Sequence, residues 1–349
     1  KKTDRQTFSP ISGRQEEDVK RSEDEVKQPD LRPSTGRGSF GRVELAFSNA
    51  TKQYYAVKKL NIHEVVQEGH AEYVNREKQI LCSLKNPFIV KLFGSHMDKV
   101  NLNLVMEYVE GGELRDYLYS MSEDELYDAV RFYSAEVIFA LQHIHSKNVV
   151  YRDLKPENLL LSKDGHVRIT DFGLAKVLKA KTYTICGTAE YMAPEIFQKS
   201  GYGTAVDWWS LGIVIFELIS GKPPFCGNTV DETFEKIREG SLQYPDGFSC
   251  EAREVVTKLL DRNPQLRAPE VTALVWYSEI DWDNVKNATI KPPFVPASFD
   301  INDLQPLEEK ADEVASMQRE RDLFEDCSQQ RNLTLAGFNR KGAVRENSH

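Results

Sequence analysis

The chain has 349 residues, of which 45 are Lys or Arg and 54 are Asp or Glu, so its formal net charge is −9. Hydrophobic residues make up 40%, which excludes a wholly disordered or collagen-like chain; the acidic balance argues against binding nucleic acid through overall charge and suits a basic partner. Five cysteines without CxxC spacing give neither a disulfide framework nor a zinc site, so we expect a reducing compartment: the cytoplasm, with the nucleus as a second location.

Residues 1–28 are polar and charged and carry too few apolar side chains to fold alone. From residue 30 the pattern changes. Residues 42–47 and 53–58 read as strands joined by a turn over 48–52. Residues 69–84 read as a helix, and 90–97 and 102–109 as two more strands, so this part is a small sheet with one helix. After Gly112 helical periodicity dominates: Leu126, Val130, Tyr133, Val137, Leu141 and Ile144 line one face of a long helix. Short strands at 159–161 and 167–170 flank Asp164-Gly165. Residues 204–220 form a helix buried on nearly all sides, and further helices fit near 230–239, 249–260 and 267–276. The longest apolar stretch, residues 208–219, falls short of the roughly 20 residues of a membrane span. From residue 286 the chain turns Pro-rich and then highly charged, which reads as a tail draped over the body. We expect two lobes, residues 29–109 and 110–285, between the extension 1–28 and the tail 286–349.

Several clusters carry chemistry. Gly36-Arg37-Gly38-Ser39-Phe40-Gly41-Arg42-Val43 is a G-x-G-x-x-G-x-V element whose bare N–H groups can hold phosphate oxygens. A strand follows it rather than a helix, so a dinucleotide-binding turn is disfavoured. Period-2 alternation puts Ala56 and Lys58 on one strand face. Glu77 lies on the apolar stripe of the following helix, where a carboxylate needs a partner; Lys58 is the candidate. The loop Tyr151-Arg152-Asp153-Leu154-Lys155-Pro156-Glu157-Asn158 holds acid, lysine and amide, and Asp171-Phe172-Gly173 follows a short strand. Asn158 and Asp171 together offer hard oxygen ligands suited to Mg²⁺. Ala193-Pro194-Glu195 completes the order.

This ordered set resembles the eukaryotic protein kinases. Tyr151 at the head of the catalytic loop, with Asp207-Trp208-Trp209-Ser210-Leu211-Gly212 and residues 184–191, looks like the AGC group, most similar to the cyclic-AMP-dependent catalytic subunits. The resemblance implies an α+β, bilobal kinase fold, with a small antiparallel-sheet lobe bearing one main helix, a larger helical lobe and an AGC-type tail. It implies ATP and two Mg²⁺ ions as cofactors. Asp153 then looks like the base that orients the substrate hydroxyl, and Lys155 like the cation that neutralises the moving phosphoryl group. Asn158 and Asp171 would hold metal. Lys58, held by Glu77, would bind the α/β-phosphates under a lid of Gly36, Gly38, Ser39, Phe40 and Gly41. Val43, Ala56, Met106, Leu160 and Thr170 would surround the base, with the backbone at Glu107 and Val109 bonding its edge; Glu113, Glu157 and Asn158 complete the nucleotide-side list.

By the same resemblance Thr184 is an activating phosphosite, its phosphate pairing with Arg152 and Lys176. Glu113, Glu157, Glu190 and Glu217 match acidic positions that recognise arginines ahead of the acceptor. Glu217 interrupts an apolar helix and demands a cation. We therefore expect a Ser/Thr kinase for basic protein substrates, with a regulatory subunit or pseudosubstrate inhibitor as a further partner, and neither nucleic acid nor a membrane span. The alternatives are a pseudokinase scaffold and a small-molecule phosphotransferase. Arg267 should pair with Glu195, Asp207 should hold the catalytic-loop backbone, and Tyr151, Phe172, Leu81 and Leu92 should stack between the lobes. Phe299-Asp300 and residues 335–339 resemble tail-docking elements.

Overall fold

The computed structural model describes residues 37–38, 41–48, 51–198, 200–267 and 270–297. The expected extension 1–28, Gly36, Ser39 and Phe40, and the tail elements at 299–300 and 335–339 lie outside the described residues.

The small lobe is an antiparallel sheet in the order β1-β2-β3-β5-β4. Its strands are β1 (Arg37–Gly38), β2 (Gly41–Ser48), β3 (Gln53–Asn61), β4 (Leu92–Met97) and β5 (Asn101–Glu107). Gly38 pairs with Gly41, so the glycine-rich element is a hairpin. A Cβ on Gly41 would run into the Lys59 carbonyl oxygen, which only glycine avoids.

The helix expected over 69–84 is α2 (Ala71–Ser83), and a second, unexpected helix, α1 (Ile62–Gln67), precedes it. The Asn61 side chain accepts from the N–H groups of His63 and Glu64 and starts α1 early. Gly69, at φ +72°, breaks the run before α2 begins. Val74, Glu77, Ile80 and Leu81 form the buried stripe of α2.

The large lobe contains α3 (Leu114–Leu118), α4 (Glu123–Ser146), α5 (Ala205–Ser220), α6 (Val230–Glu239), α7 (Cys250–Leu259) and α8 (Trp282–Lys286). Ser122 and Glu125 close a capping box at the start of α4. Residues 206–218 of α5 are all buried, as its apolar sequence requires. The expected helix over 267–276 is not formed; short 3₁₀ turns stand at Glu270–Ala273 and Val275–Tyr277. The Arg267 side chain explains the loss. Its Nε donates to the Asp261 carbonyl at 2.5 Å and its guanidinium grips Glu195, which pins the residue in an extended conformation.

Two small ribbons sit under the cleft: β6 (Val149–Val150) with β9 (Lys176–Val177), and β7 (Leu159–Leu161) with β8 (Val167–Ile169). One apolar cluster joins the lobes, from Leu60, Ile80 and Leu104 above to Ile144, Tyr151 and Trp209 below. Backbone bonds from Val90 N–H to the Ile169 oxygen (3.0 Å) and from Ile169 N–H to the Phe88 oxygen (2.8 Å) reinforce the junction. The connector after β5 is held as well. The Glu107 carboxylate takes bonds from Arg168 Nε (3.1 Å) and the Lys91 N–H (3.1 Å), while Gly111 N–H donates to Leu161 and Leu161 N–H to Gly112, both at 2.8 Å. The first part of the tail packs here too: the Phe294 ring lies 4.7 Å from Tyr117.

Candidate active site

The cleft brings groups from both lobes to one place. Register puts Val43 opposite Lys58 and Ala56 opposite Met106. Val43, Ala56, Met106, Leu160 and Thr170 are all half-buried apolar or small groups at the cleft, whereas Val109 is buried. Lys58 Nζ reaches Glu77 Oε1 at 2.7 Å and Asp171 Oδ1 at 3.2 Å. Strand β3, helix α2 and the loop after β8 therefore meet at one ammonium. Burial works against charge on Lys58, yet the Glu77 and Asp171 carboxylates outweigh it and hold the ammonium protonated beyond the ordinary lysine range. Burial pushes the Glu77 carboxyl up, opposed by Lys58. For Asp171, burial is overcome chiefly by Lys58, so its carboxyl lies below the usual range and is ionised.

Asp171 and Asn158 supply hard oxygen donors, and no group of three or more metal-ligating side chains exists among the described residues. That donor set is too sparse for a protein-only cage. It fits Mg²⁺, which completes its shell with phosphate and water oxygens.

Across the floor, Lys155 Nζ lies 3.1 Å from Asp153 Oδ2 and 3.2 Å from Thr188 Oγ1. Thr188 in turn donates to Asp153 Oδ1 at 3.3 Å. Asn158 Nδ2 donates to the Asp153 carbonyl at 2.7 Å and to its Oδ2 at 3.0 Å. Burial pushes the Asp153 carboxyl up, opposed by Lys155.

The loop is shaped from beneath. Arg152 and Asp171 have φ of +71° and +48°, conformations that L-residues hold only under constraint. Asp207, fully buried, supplies the constraint on Arg152: Oδ1 accepts from Arg152 N–H (2.8 Å), and Oδ2 accepts from Tyr151 N–H (2.9 Å) and meets His145 Nε2 (2.7 Å). Tyr151 and Phe172 rings stand 5.0 Å apart, in one buried cluster with Leu81 and Leu92. Arg267 forks onto Glu195 at 2.5 and 2.9 Å and stacks over Trp209.

Thr184 is exposed, and its carbonyl accepts from Tyr202 OH at 2.5 Å. Arg152 donates to the Leu174 carbonyl and to Tyr202 OH, and Lys176 to Thr182. Burial, then Arg152 and Arg76, lower the Lys176 ammonium below its ordinary value, as expected of crowded cations.

Glu113, Glu157 and Glu217 converge, and the cation that the burial of Glu217 demands is Arg115, joined by a tyrosine hydroxyl. Tyr191 OH donates to Glu217 Oε2 at 2.5 Å, and Arg115 lies 4.0 Å from Oε1. Arg115 also contacts Glu113 (3.2 Å) and Glu157 (3.3 Å). Glu190 acts on Glu217 only at longer range. Sequence reasoning missed Arg115 and Tyr191; the signal was an arginine two places after Glu113. It also missed the Glu107–Arg168 tie and the buried Glu136–His166 pair at 2.5 Å.

A two-lobed body that sets a paired lysine over a carboxylate–amide floor is built for phosphoryl transfer from a nucleotide. The family described as protein kinase domain matches residues 31–276, so the chain belongs to the protein kinases. It is 42% identical over 300 residues to a cAMP-dependent protein kinase, catalytic subunit-like, of Caenorhabditis elegans, covering 83% of this chain and 75% of that protein. It is 42% identical over 274 residues to the cAMP-dependent protein kinase catalytic subunit PRKX of Homo sapiens, covering 76% of each. Against cAMP-dependent protein kinase type 3 of Saccharomyces cerevisiae the identity is 40% over 268 residues, 75% of this chain and 67% of that one. The protein is thus an AGC-group serine/threonine protein kinase of the cAMP-dependent kinase family, an enzyme class that uses ATP and Mg²⁺.

Proposed function

We propose that this kinase turns over, moving the ATP γ-phosphate to Ser or Thr hydroxyls in Arg-rich protein substrates. The observation that carries the reading is the buried ammonium of Lys58 held between Glu77 and Asp171, at 2.7 and 3.2 Å, where the two lobes meet. Phosphoryl transfer needs alignment and charge neutralisation more than covalent help.

In this reading Lys58 binds the α/β-phosphates while Glu77 keeps it aimed. Gly36, Gly38, Ser39, Phe40 and Gly41 would form the lid on the phosphates, and Val43, Ala56, Met106, Leu160 and Thr170 would flank the base. The backbone of Glu107 and Val109 bonds its edge. Asp171 and Asn158 would hold two Mg²⁺ ions, whose chemistry when bound is to neutralise phosphate charge. Asp153 accepts a hydrogen bond from the substrate hydroxyl and takes its proton as the oxygen attacks phosphorus. Lys155 balances charge on the transferred group, and Thr188 fixes the Asp153 carboxylate. The product ADP leaves with the electron pair of the broken bond.

Thr184 is our candidate activating phosphosite. A phosphate there would add about −1.5 to −2 charges, with Arg152 and Lys176 as the cations to pair with it. Glu113, Glu157, Glu190 and Glu217 are read as the subsite for arginines two or three places before the acceptor. A regulatory subunit or pseudosubstrate inhibitor would use the same subsite. We place the protein in the cytoplasm and nucleus, and keep 29–109 and 110–285 as the two lobes.

The test is a positional-scanning peptide library with Mg-ATP and Asp153→Ala as control. Phosphate incorporation selective for Arg before the acceptor is expected. Nucleotide binding without transfer above the control would support the pseudokinase scaffold instead.

A further inference from the structure

The carboxylate cluster already has a basic occupant supplied by the chain itself. Arg115 lies on the short helix α3, two residues after Glu113. Its Nη2 contacts Glu113 Oε2 at 3.2 Å, and its Nη1 contacts Glu157 Oε1 at 3.3 Å and Glu217 Oε1 at 4.0 Å. Charge-assisted bonds between guanidinium and carboxylate are usually about 2.7–2.9 Å, so all three contacts are long. The side chain remains 25% exposed. A guanidinium held this loosely, by three carboxylates at once, can leave without unpacking the core.

The cluster also keeps a charge surplus. Three carboxylates face one guanidinium, and Glu190 adds its field to Glu217. Burial pushes the Glu217 and Glu113 carboxyls up, with Arg115 opposing in both. Arg115 therefore does for these acids what a substrate arginine would do, through the same planar fork.

We propose that Arg115 is a tethered competitor for the basic-residue subsite. A substrate arginine has to displace it from Glu113, Glu157 and Glu217, and Arg115 thereby limits how strongly the kinase discriminates for arginine. The proposal rests on the reading of this cluster as the arginine subsite.

Two peptides test it, identical except that the residues two and three before the acceptor serine are arginine in one and norleucine in the other. The readout is the ratio of their kcat/KM values. Arg115→Ala and Arg115→Met should each raise this ratio by about two- to fivefold, the scale of a partly exposed ion pair, with most of the gain in the KM of the arginine peptide. Arg115→Lys, which keeps the charge but loses the fork, should rise less. Two variants of different shape guard against a loss of fold in one. A ratio unchanged or lowered in both overturns the proposal and makes Arg115 an organiser of the carboxylates. Glu217→Gln in the unaltered background separates the two levels of the argument. If it lowers the ratio while the Arg115 variants do nothing, only the competitor role falls. If it leaves the ratio unchanged, the subsite reading falls with it.

Discussion

Asp207→Asn is the most informative single change. The native carboxylate offers two acceptor oxygens to three donors: Arg152 N–H at 2.8 Å, Tyr151 N–H at 2.9 Å and His145 Nε2 at 2.7 Å. An amide turns one oxygen into a donor. With the nitrogen toward Arg152, that backbone N–H faces another N–H; with it reversed, Tyr151 does. Either way one buried donor is orphaned, which costs about 1–3 kcal/mol, and the remaining bonds lose their charge assistance. The total is about 2–4 kcal/mol, or a melting temperature lower by roughly 5–15 °C for a domain of this size. The freed loop also loses the constraint that keeps Arg152 at φ +71°. A shift of about 1 Å at the Asp153 carboxylate costs on the order of 10²-fold in rate. Differential scanning calorimetry and steady-state kinetics should show a lowered melting temperature together with a kcat fall of about ten- to a hundredfold. The KM for ATP should move less, because Lys58 and Glu77 belong to the other lobe. A destabilised variant with unchanged kcat would refute the argument that Asp207 shapes the loop.

Lys58→Met removes the ammonium between Glu77 and Asp171, and kcat/KM should fall by about 10²–10³-fold; a loss under tenfold in peptide phosphorylation would contradict its place in the cleft. Arg267→Met strands the Glu195 carboxylate in the core at a cost of about 3–5 kcal/mol in urea unfolding. Adding Glu195→Leu should recover much of that loss, and strict additivity of the two changes would exclude the pairing. Burial raises the Asp153 carboxyl and Lys155 opposes the rise. In the proposed mechanism the charged form accepts the proton, so kcat should decline as pH falls through that raised value, above the ordinary aspartate range near pH ~3.9. Lys155→Met removes the opposing cation and should move this acid limb to higher pH; an unmoved limb would rule out the coupling.

Much of the site was legible because its chemistry is written in short, ordered segments. Strand alternation set Ala56 and Lys58 on one face, and a carboxylate on the apolar stripe of α2 called for a partner; the 2.7 Å contact is that pair. The long α4 was readable from its periodicity. Other features depend on what meets across the fold. Helix α1 is six residues long and rests on the Asn61 cap, too brief for a periodic signal. The helix expected over 267–276 gives way to short 3₁₀ turns, because Arg267 is gripped in an extended conformation by Glu195 and Asp261. Burial correctly implied a partner for Glu217; Arg115 could have been suspected from its place two residues after Glu113, but nothing in the local sequence pointed to Tyr191.

The stretch between the lobes has a mechanical consequence. Its near end is bolted to β8 through Glu107 and Arg168, and its far end is laced to β7 through paired bonds of Gly111 and Gly112 with Leu161. It is therefore clamped at both ends rather than acting as a free swivel. Glu107 is also held by the upper sheet, through its pairing with Tyr55 and the Lys91 N–H, so any rocking of the lobes has to be absorbed between Glu107 and Gly111, the short span between the two clamps.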